Sequence, residues 1–260
     1  MLIIMRHGQS TWTDKSVNRF AGWVDIPLTH IGIQQAQHAG ELLRQSDIRP
    51  DYVFTSLLRR SIVSADIVLD AIDRSWLPVQ RSWRLNERHY GAFQGETRPA
   101  MLDRYGDEMF ATYRRSYDVR PPEIDVDSPY FQGSDPRYSD SFSDGLDDRD
   151  PSLIRSECLK DLAERLQPYW DSRIAPLLVA GKTLLVVTHG SVVRAIVKML
   201  EQVSDEAIRS INVPTGVPMA YSFLTRADGS LAVDGRGRYL DQQAAERGMA
   251  EVSALGRAPR

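Results

Sequence analysis

Residues 2–8 read Leu-Ile-Ile-Met-Arg-His-Gly, an apolar run that stops at an arginine, a histidine and a glycine. An apolar run of about four to eight residues closed by a turn signal reads as a buried strand of a parallel sheet. Open α/β sheets hold their ligands just beyond the carboxyl ends of such strands. The chain therefore begins by sending a guanidinium and an imidazole to the place where such folds do chemistry. The same pattern returns at Thr183-Leu-Leu-Val-Val-Thr188, which runs directly into His189-Gly190. Of the five histidines, only His7 and His189 end an apolar run and precede a glycine.

Further strands are expected at 51–56, ending on the hydroxyls of Thr55 and Ser56, at 77–80, and at 220–224. Between them lie helical patterns. Thr29 is placed to cap a helix carrying Ile33, Ala36, Gly40 and Leu43 on one face. Leu58, Ile62, Ala65, Leu69 and Ile72 share another face, and 97–118, the Cys158–Tyr169 stretch and the residues after Gly190 continue the alternation. Arg59 and Arg60 open the second helix, where cations oppose the helix dipole, so the pair suggests a shared anionic partner. This order implies a three-layer α/β/α sandwich with a mainly parallel central sheet. The 260 residues are read as one domain, with an insertion over about 97–152 covering the site and a polar tail over about 235–260. The stretch 119–152 has no periodicity, and six aspartates between 135 and 150 make it read as an acidic, solvated loop.

Composition narrows the function. A formal net charge of −3 gives no global field for nucleic acid or an acidic membrane, so any anion site must be a local gathering of arginines. The single cysteine, Cys158, excludes an intrachain disulfide and a multi-cysteine metal cage, and its helical spacing predicts buried packing. A first strand at Leu2 and the lack of any run near ~18 apolar residues point to a cytoplasmic protein with no membrane partner.

Two histidines at strand ends have three readings: a hydrogen-bonded structural pair, a metal site, or covalent catalysis on phosphate. Metal spacing is absent, since neither histidine is flanked by a carboxylate and no His-x-His or HExxH occurs. Phosphoryl chemistry needs a neutral imidazole as nucleophile and planar guanidinium donors for the phosphate oxygens. Arg6, His7, Arg60 and His189 come from separate strand ends in the manner of a doubly wound sheet. A leaving alkoxide also needs a proton donor. Glu87, after the third strand, is the candidate; its bland alternative is a surface glutamate paired with Arg88. His30, His38 and His89 are read as structural or surface residues.

Several motifs then stand in one order: Leu2-Ile-Ile-Met-Arg-His-Gly-Gln-Ser10, Phe20-Ala-Gly-Trp23, Thr55-Ser-Leu-Leu-Arg-Arg60, Leu85-Asn-Glu-Arg-His-Tyr-Gly-Ala92, Arg114-Arg115, Pro121-Pro-Glu123, Asp135-Pro-Arg-Tyr138, Thr188-His-Gly190 and Pro214-Thr-Gly-Val-Pro218. Over roughly residues 2–250 the chain resembles the cofactor-dependent phosphoglycerate mutases of the histidine phosphatase superfamily. The resemblance implies that His7 is phosphorylated, that Arg6, Arg60 and His189 hold the phosphoryl group with the Gly190 amide, and that Glu87 is the acid and base. It implies substrate contacts from Thr13, Ala21, Gly22, Tyr90, Arg98, Arg114, Arg115 and Ser191. It implies no metal, priming by 2,3-bisphosphoglycerate, turnover between 3- and 2-phosphoglycerate, and a homodimer or homotetramer.

Four positions depart from the family pattern: Thr13 and Ser191 stand for asparagine, Ala21 for threonine or serine, and Arg98 for lysine. A lost contact to a charged group is worth about 1–3 kcal/mol. The alternative expectation is therefore a phosphatase, or a mutase, acting on a different small phosphorylated metabolite.

Overall fold

Burial along β1 (Leu2–Arg6) alternates between two apolar layers. Leu2 and Ile4 pack into one, Ile3 and Met5 into the other, so the strand is covered on both faces. The computed structural model describes residues 1–139, 144–226 and 230–255. β1 pairs in parallel with β4 (Leu184–Thr188), β4 with β2 (Tyr52–Thr55), and β2 with β3 (Val79–Arg81) at the sheet edge. Beyond β1, β5 (Met219–Tyr221) and β8 (Arg238–Tyr239) run antiparallel, giving the order β3-β2-β4-β1-β5-β8. The eight apolar side chains of β1 and β4 are at most 1% exposed. Burying each contributes about 1.5–3 kcal/mol, enough to fix this pair as the centre of the molecule.

Helices α1 (His30–Gln45) and α2 (Arg59–Ala71) cover the Ile3/Met5 face through Ala39, Leu43, Ala65 and Val68. Thr29 caps α1, its hydroxyl accepting from Gly32 N. The opposite face is covered by α4 (Leu159–Tyr169) and α6 (Gly190–Glu201). Between α3 (Arg98–Arg115), which breaks at Gly106, and α4 runs the long connection. α4 continues through a π-helical turn, Trp170–Ile174, into α5 (Ala175–Val179). The three-layer architecture with a mainly parallel sheet is the one expected. Among the described residues no helix is long and apolar enough to cross a membrane.

The differences from expectation have identifiable causes. The third strand lies two residues later than the apolar run suggests, because β3 is an edge strand whose outer positions are exposed. The run 220–224 divides: Met219–Tyr221 joins the main sheet, while β6 (Phe223–Thr225) leaves it to pair with β7 (Leu231–Val233). The region read as a polar tail contains β8 and α7 (Gln242–Ala254), capped by Asp241 and anchored by the fully buried Ala245. Residues 256–260 of that tail lie outside the described residues.

The acidic stretch is also not simply solvated. Asp144 and Asp147 grip the buried Arg84 at 2.6 and 2.7 Å, Tyr138 stacks on Trp23, and Arg137 reaches Asp25 at 2.9 Å. Its residues 140–143, Asp140 included, lie outside the described residues. Cys158 is buried as expected, but at the cap of α4 rather than within it, with its thiol donating to Asp161.

Candidate active site

Sheet register decides which strand ends meet. Arg6 lies opposite Thr188, and Thr55 opposite Val187, so the residues that follow (His7, His189 and Ser56) emerge together. The two imidazole rings stand 4.9 Å apart at 63°. A Cβ at Gly8 would come within 2.1 Å of the Gly32 carbonyl, so the first turn of α1 closes against the chain just past His7 only because residue 8 is glycine.

His7 Nδ1 lies 2.6 Å from the Gly8 carbonyl, which can only accept, so the ring proton is on Nδ1. The lone pair is then on Nε2, where Arg60 Nε donates at 3.2 Å. Burial, then the charges of Arg60 and Arg6, push the imidazole pKa well below its ordinary value, and the bond to Gly8 opposes them without prevailing. At neutral pH His7 is thus an uncharged base with Nε2 as its nucleophilic atom.

Arg60 turns inward from the start of α2, whereas Arg59 is exposed. The expectation that the two share an anion is therefore corrected: consecutive residues of a helix stand about 100° apart, and only Arg60 falls on the buried side. Arg60 also donates to the carbonyls of Gly22 and Val24 at 2.7 and 2.9 Å. Gly22 takes a φ of +51°, and its missing Cβ leaves room for the Gln94 amide that accepts from Trp23 N. Ala21 and Gly22 thus form the turn that holds Arg60.

Glu87 is not the exposed alternative; it is 8% exposed, with Oε1 accepting from the amides of Arg88 and Ser191 at 2.8 and 3.2 Å. Its backbone carbonyl accepts from Trp23 Nε1 at 2.6 Å and from Arg165 Nη2 at 3.0 Å. The buried Arg165, paired with Glu157, also donates to the carbonyls of Arg84 and Asn86, so one guanidinium shapes the loop that presents Glu87.

A cavity opens beside Arg6 and Glu87 and is lined by Tyr90, Arg98, Arg114, Arg115, Gly190, Ser191 and Arg194. Glu87 is the one carboxylate in this lining, against five guanidinium groups. Among the described residues those arginines bond only to neutral partners: Arg6 to Val213 O, Arg98 to Asn18 and Arg19 O, Arg114 to Val252 O, Arg115 to Asn212, Arg194 to Ile208 O. Burial lowers the pKa of each, to about 10 for Arg98 and about 9 for Arg194; neighbouring arginines add to the effect at Arg98, Arg114, Arg115 and Arg194, while Glu87 and Tyr90 oppose it at Arg6. Arg60 is likewise brought down to about 10, chiefly by burial. With Glu87 the one carboxylate set against the five guanidinium groups of this lining, the wall carries an excess of positive charge.

Among the described residues, the buried side-chain nitrogens without a hydrogen-bond partner are Nε of Arg6, Arg88, Arg98 and Arg194, and Nδ1 of His189. Buried donors are ordinarily paired. Here three of them, on Arg6, Arg98 and Arg194, belong to residues lining a single cavity, which is the arrangement an anion with several oxygens satisfies.

Two features escape a reading of the sequence. Arg194 sits inside the run Val192-Val193-Arg194-Ala195-Ile196-Val197, buried throughout. An arginine in an otherwise apolar helical segment was the available signal. Val252 and Leu255, from the supposed tail, also line the cavity.

Thr13 lies outside this wall. Its hydroxyl is engaged with Ser10, and it borders a smaller cavity shared with Gln9 and Lys15. Ser191 bonds Tyr90, whose pKa falls below the ordinary value although burial and Glu87 raise it, because Arg88, Ser191 and Arg98 together outweigh them. His89 is a structural residue, buried between Gln132 and the Gly91 amide, while His30 and His38 are exposed on α1. Among the described residues no group of three His, Cys, Asp or Glu is disposed to hold a metal ion.

The profile of the histidine phosphatase superfamily (branch 1) matches residues 2–131 and 131–234. A 2,3-bisphosphoglycerate-dependent phosphoglycerate mutase of Bifidobacterium longum is 49% identical over 255 residues, covering 98% of each chain. The one from Clavibacter michiganensis is 50% identical over 98% of this chain and 96% of its own. Among solved structures, a mycobacterial glucosyl-3-phosphoglycerate phosphatase shares the fold with a TM-score of 0.62 at 21% identity, over 92% of this chain and 96% of that one. From sequence and fold alike, the chain belongs to the histidine phosphatase superfamily, branch 1.

Proposed function

We propose that the protein is a 2,3-bisphosphoglycerate-primed phosphoglycerate mutase working through phospho-His7. The observation that carries this reading is the cavity wall of five guanidinium groups beside a neutral, lone-pair-bearing His7. The near-50% identity to enzymes of that name over the whole chain supports it, and favours it over a phosphatase acting on another ester.

Nε2 of His7 attacks phosphorus, and the phosphorus–oxygen bond of the donor ester breaks as the nitrogen–phosphorus bond forms. The departing alkoxide takes its proton from Glu87, which in the return step removes the proton from the hydroxyl that receives the phosphoryl group. Arg60 and Arg6 donate to the phosphoryl oxygens, and the amino terminus of α6 at Gly190 adds a backbone N–H and the positive end of its dipole. Arg98, Arg114, Arg115 and Arg194 hold the carboxylate and the second phosphate, placing either oxygen of the glycerate in line.

An enolase-coupled assay with 3-phosphoglycerate tests the reading. Turnover that depends on 2,3-bisphosphoglycerate and vanishes in His7→Ala is expected, with negligible release of phosphate. Its acid limb lies below the unperturbed histidine value of about 6.5, since the depressed pKa keeps His7 neutral there. Turnover no better than that of His7→Ala refutes the mutase assignment.

A further inference from the structure

The Ser56 hydroxyl lies 2.7 Å from Nε2 of His189, deep in the molecule, with both residues fully buried. Its oxygen already accepts from the Leu58 amide at 3.1 Å. A serine hydroxyl carries one hydrogen. Among the described residues, His189 Nε2 is the one acceptor within reach of that hydrogen. Were Nε2 protonated instead, the ring would donate to Ser56, and a buried hydroxyl hydrogen would lose its partner. That costs about 1–3 kcal/mol.

We infer that Ser56 is a positioning residue that sets the tautomer of His189, donating to Nε2 so that the ring proton resides on Nδ1. Nδ1 is the nitrogen left without a protein partner, on a ring 4.9 Å from that of His7. A neutral imidazole so fixed has one N–H without a protein partner, and on the phosphohistidine reading that is the donor available to a phosphoryl group on the neighbouring His7. With the other tautomer, a lone pair would face phosphoryl oxygens and repel them. Charging the ring is no substitute, because burial and the facing groups Arg60, His7, Arg6 and Arg165 all disfavour the imidazolium. The two histidines thus share one tautomer but leave opposite nitrogens free. At His7 the Gly8 carbonyl puts the proton on Nδ1 and frees Nε2 to attack, while at His189 Ser56 occupies Nε2 and leaves Nδ1 to donate.

This inference rests on the phosphohistidine reading for its consequence, but its test does not. In protein labelled with 15N-histidine, long-range proton–nitrogen correlation spectra show which ring nitrogen carries the hydrogen, and loss of signals in His189→Gln assigns the residue. The wild-type spectrum is expected to show His189 neutral, with hydrogen on Nδ1 and a lone pair on Nε2. In Ser56→Ala the Nε2–H form is expected to appear, with kcat down about 100-fold and KM little changed. That is less than the ~10⁴-fold loss of a locked wrong tautomer, because alanine leaves both forms accessible. A purely structural serine moves stability and leaves the tautomer alone. Hydrogen on Nε2 in the wild type overturns the inference without any need for the variant to fold. So does a Ser56→Ala protein that keeps hydrogen on Nδ1. If the tautomer is as inferred and His7 takes up no phosphoryl group, the functional reading fails and the positioning role of Ser56 stands.

Discussion

Two groups of buried arginines lie on either side of the loop that carries Glu87, and they are satisfied in opposite ways. Behind the loop, Arg84 meets two carboxylates and stacks on Trp83 at 4.7 Å, and Arg165 is paired with Glu157 and lies over both Trp23 and Trp83. Burial works against the charge of Arg84, yet the bonds to Asp147 and Asp144 hold its pKa above the ordinary value. In front of the loop, Arg98 and Arg194 have carbonyl or amide partners, an unpaired Nε each, and lowered pKa values. The rear cluster is complete within the chain and serves the scaffold. The front cluster has no carboxylate partners of that kind among the described residues, and under the proposed function a bound anion completes it. Burial alone therefore does not distinguish a structural arginine from a binding one; the charge of its partners does.

The largest effect is expected from truncating one member of each cluster. Arg165→Met leaves Glu157 buried and unpaired, and should cost about 3–5 kcal/mol in urea denaturation. Arg194→Met removes a cation that has no carboxylate partner, so stability should change by less than about 1 kcal/mol, or rise, while affinity for a bisphosphorylated ligand falls. Equal destabilisation by the two substitutions would erase the distinction.

A somewhat smaller effect comes from adding the missing charge. At one hundred times its dissociation constant, 2,3-bisphosphoglycerate should raise unfolding free energy by about 2.7 kcal/mol, measured by thermal or urea denaturation. The same concentration should stabilise Arg98→Met less than the wild type. A protein whose stability ignores this ligand would show that the front cluster is closed on itself.

A further test lies in pH. His7, His189 and His89 are all held neutral, His89 with its pKa lowered to about 4 mainly by burial. The unfolded chain takes up protons at these sites below about pH 6.5 while the folded one does not, so stability is full above that pH and falls beneath it. The slope is at most about 1.4 kcal/mol per pH unit for each histidine. Inorganic phosphate should flatten the part due to His7 and His189, which face the front cluster, and leave that of His89, beside Glu157 and Arg165, unchanged. Urea midpoints from pH 7 to 4.5, with and without phosphate, read the difference.

The strand ends could be read from the chain because an apolar run broken by Arg-His-Gly carries both the fold and the chemistry in adjacent residues. Arg60 was visible as a cation where the helix dipole disfavours one, although the same logic wrongly included Arg59, since a dipole argument does not know which side of a helix faces inward. Arg194 stayed hidden because the apolar pattern around it is that of any core helix. The carboxylate partners of Arg84 come from 60 and 63 positions away, and Arg84 and Arg165 reach each other's carbonyls across 81, so no local pattern announces them. The role of α7 was missed for a related reason: a polar, alanine-rich stretch carries only a few apolar residues, and Val252 and Leu255 acquire meaning from the cavity they close.

The position of β1 has a consequence for synthesis on the ribosome. Leu2 pairs with Leu184 and Tyr221, so the strand made first waits for partners made much later. At translation speeds of roughly 5–20 residues per second the wait is on the order of 10–40 s. During that interval an apolar segment bearing His7 has no sheet to enter, so chaperone protection of the nascent chain matters most for its earliest residues.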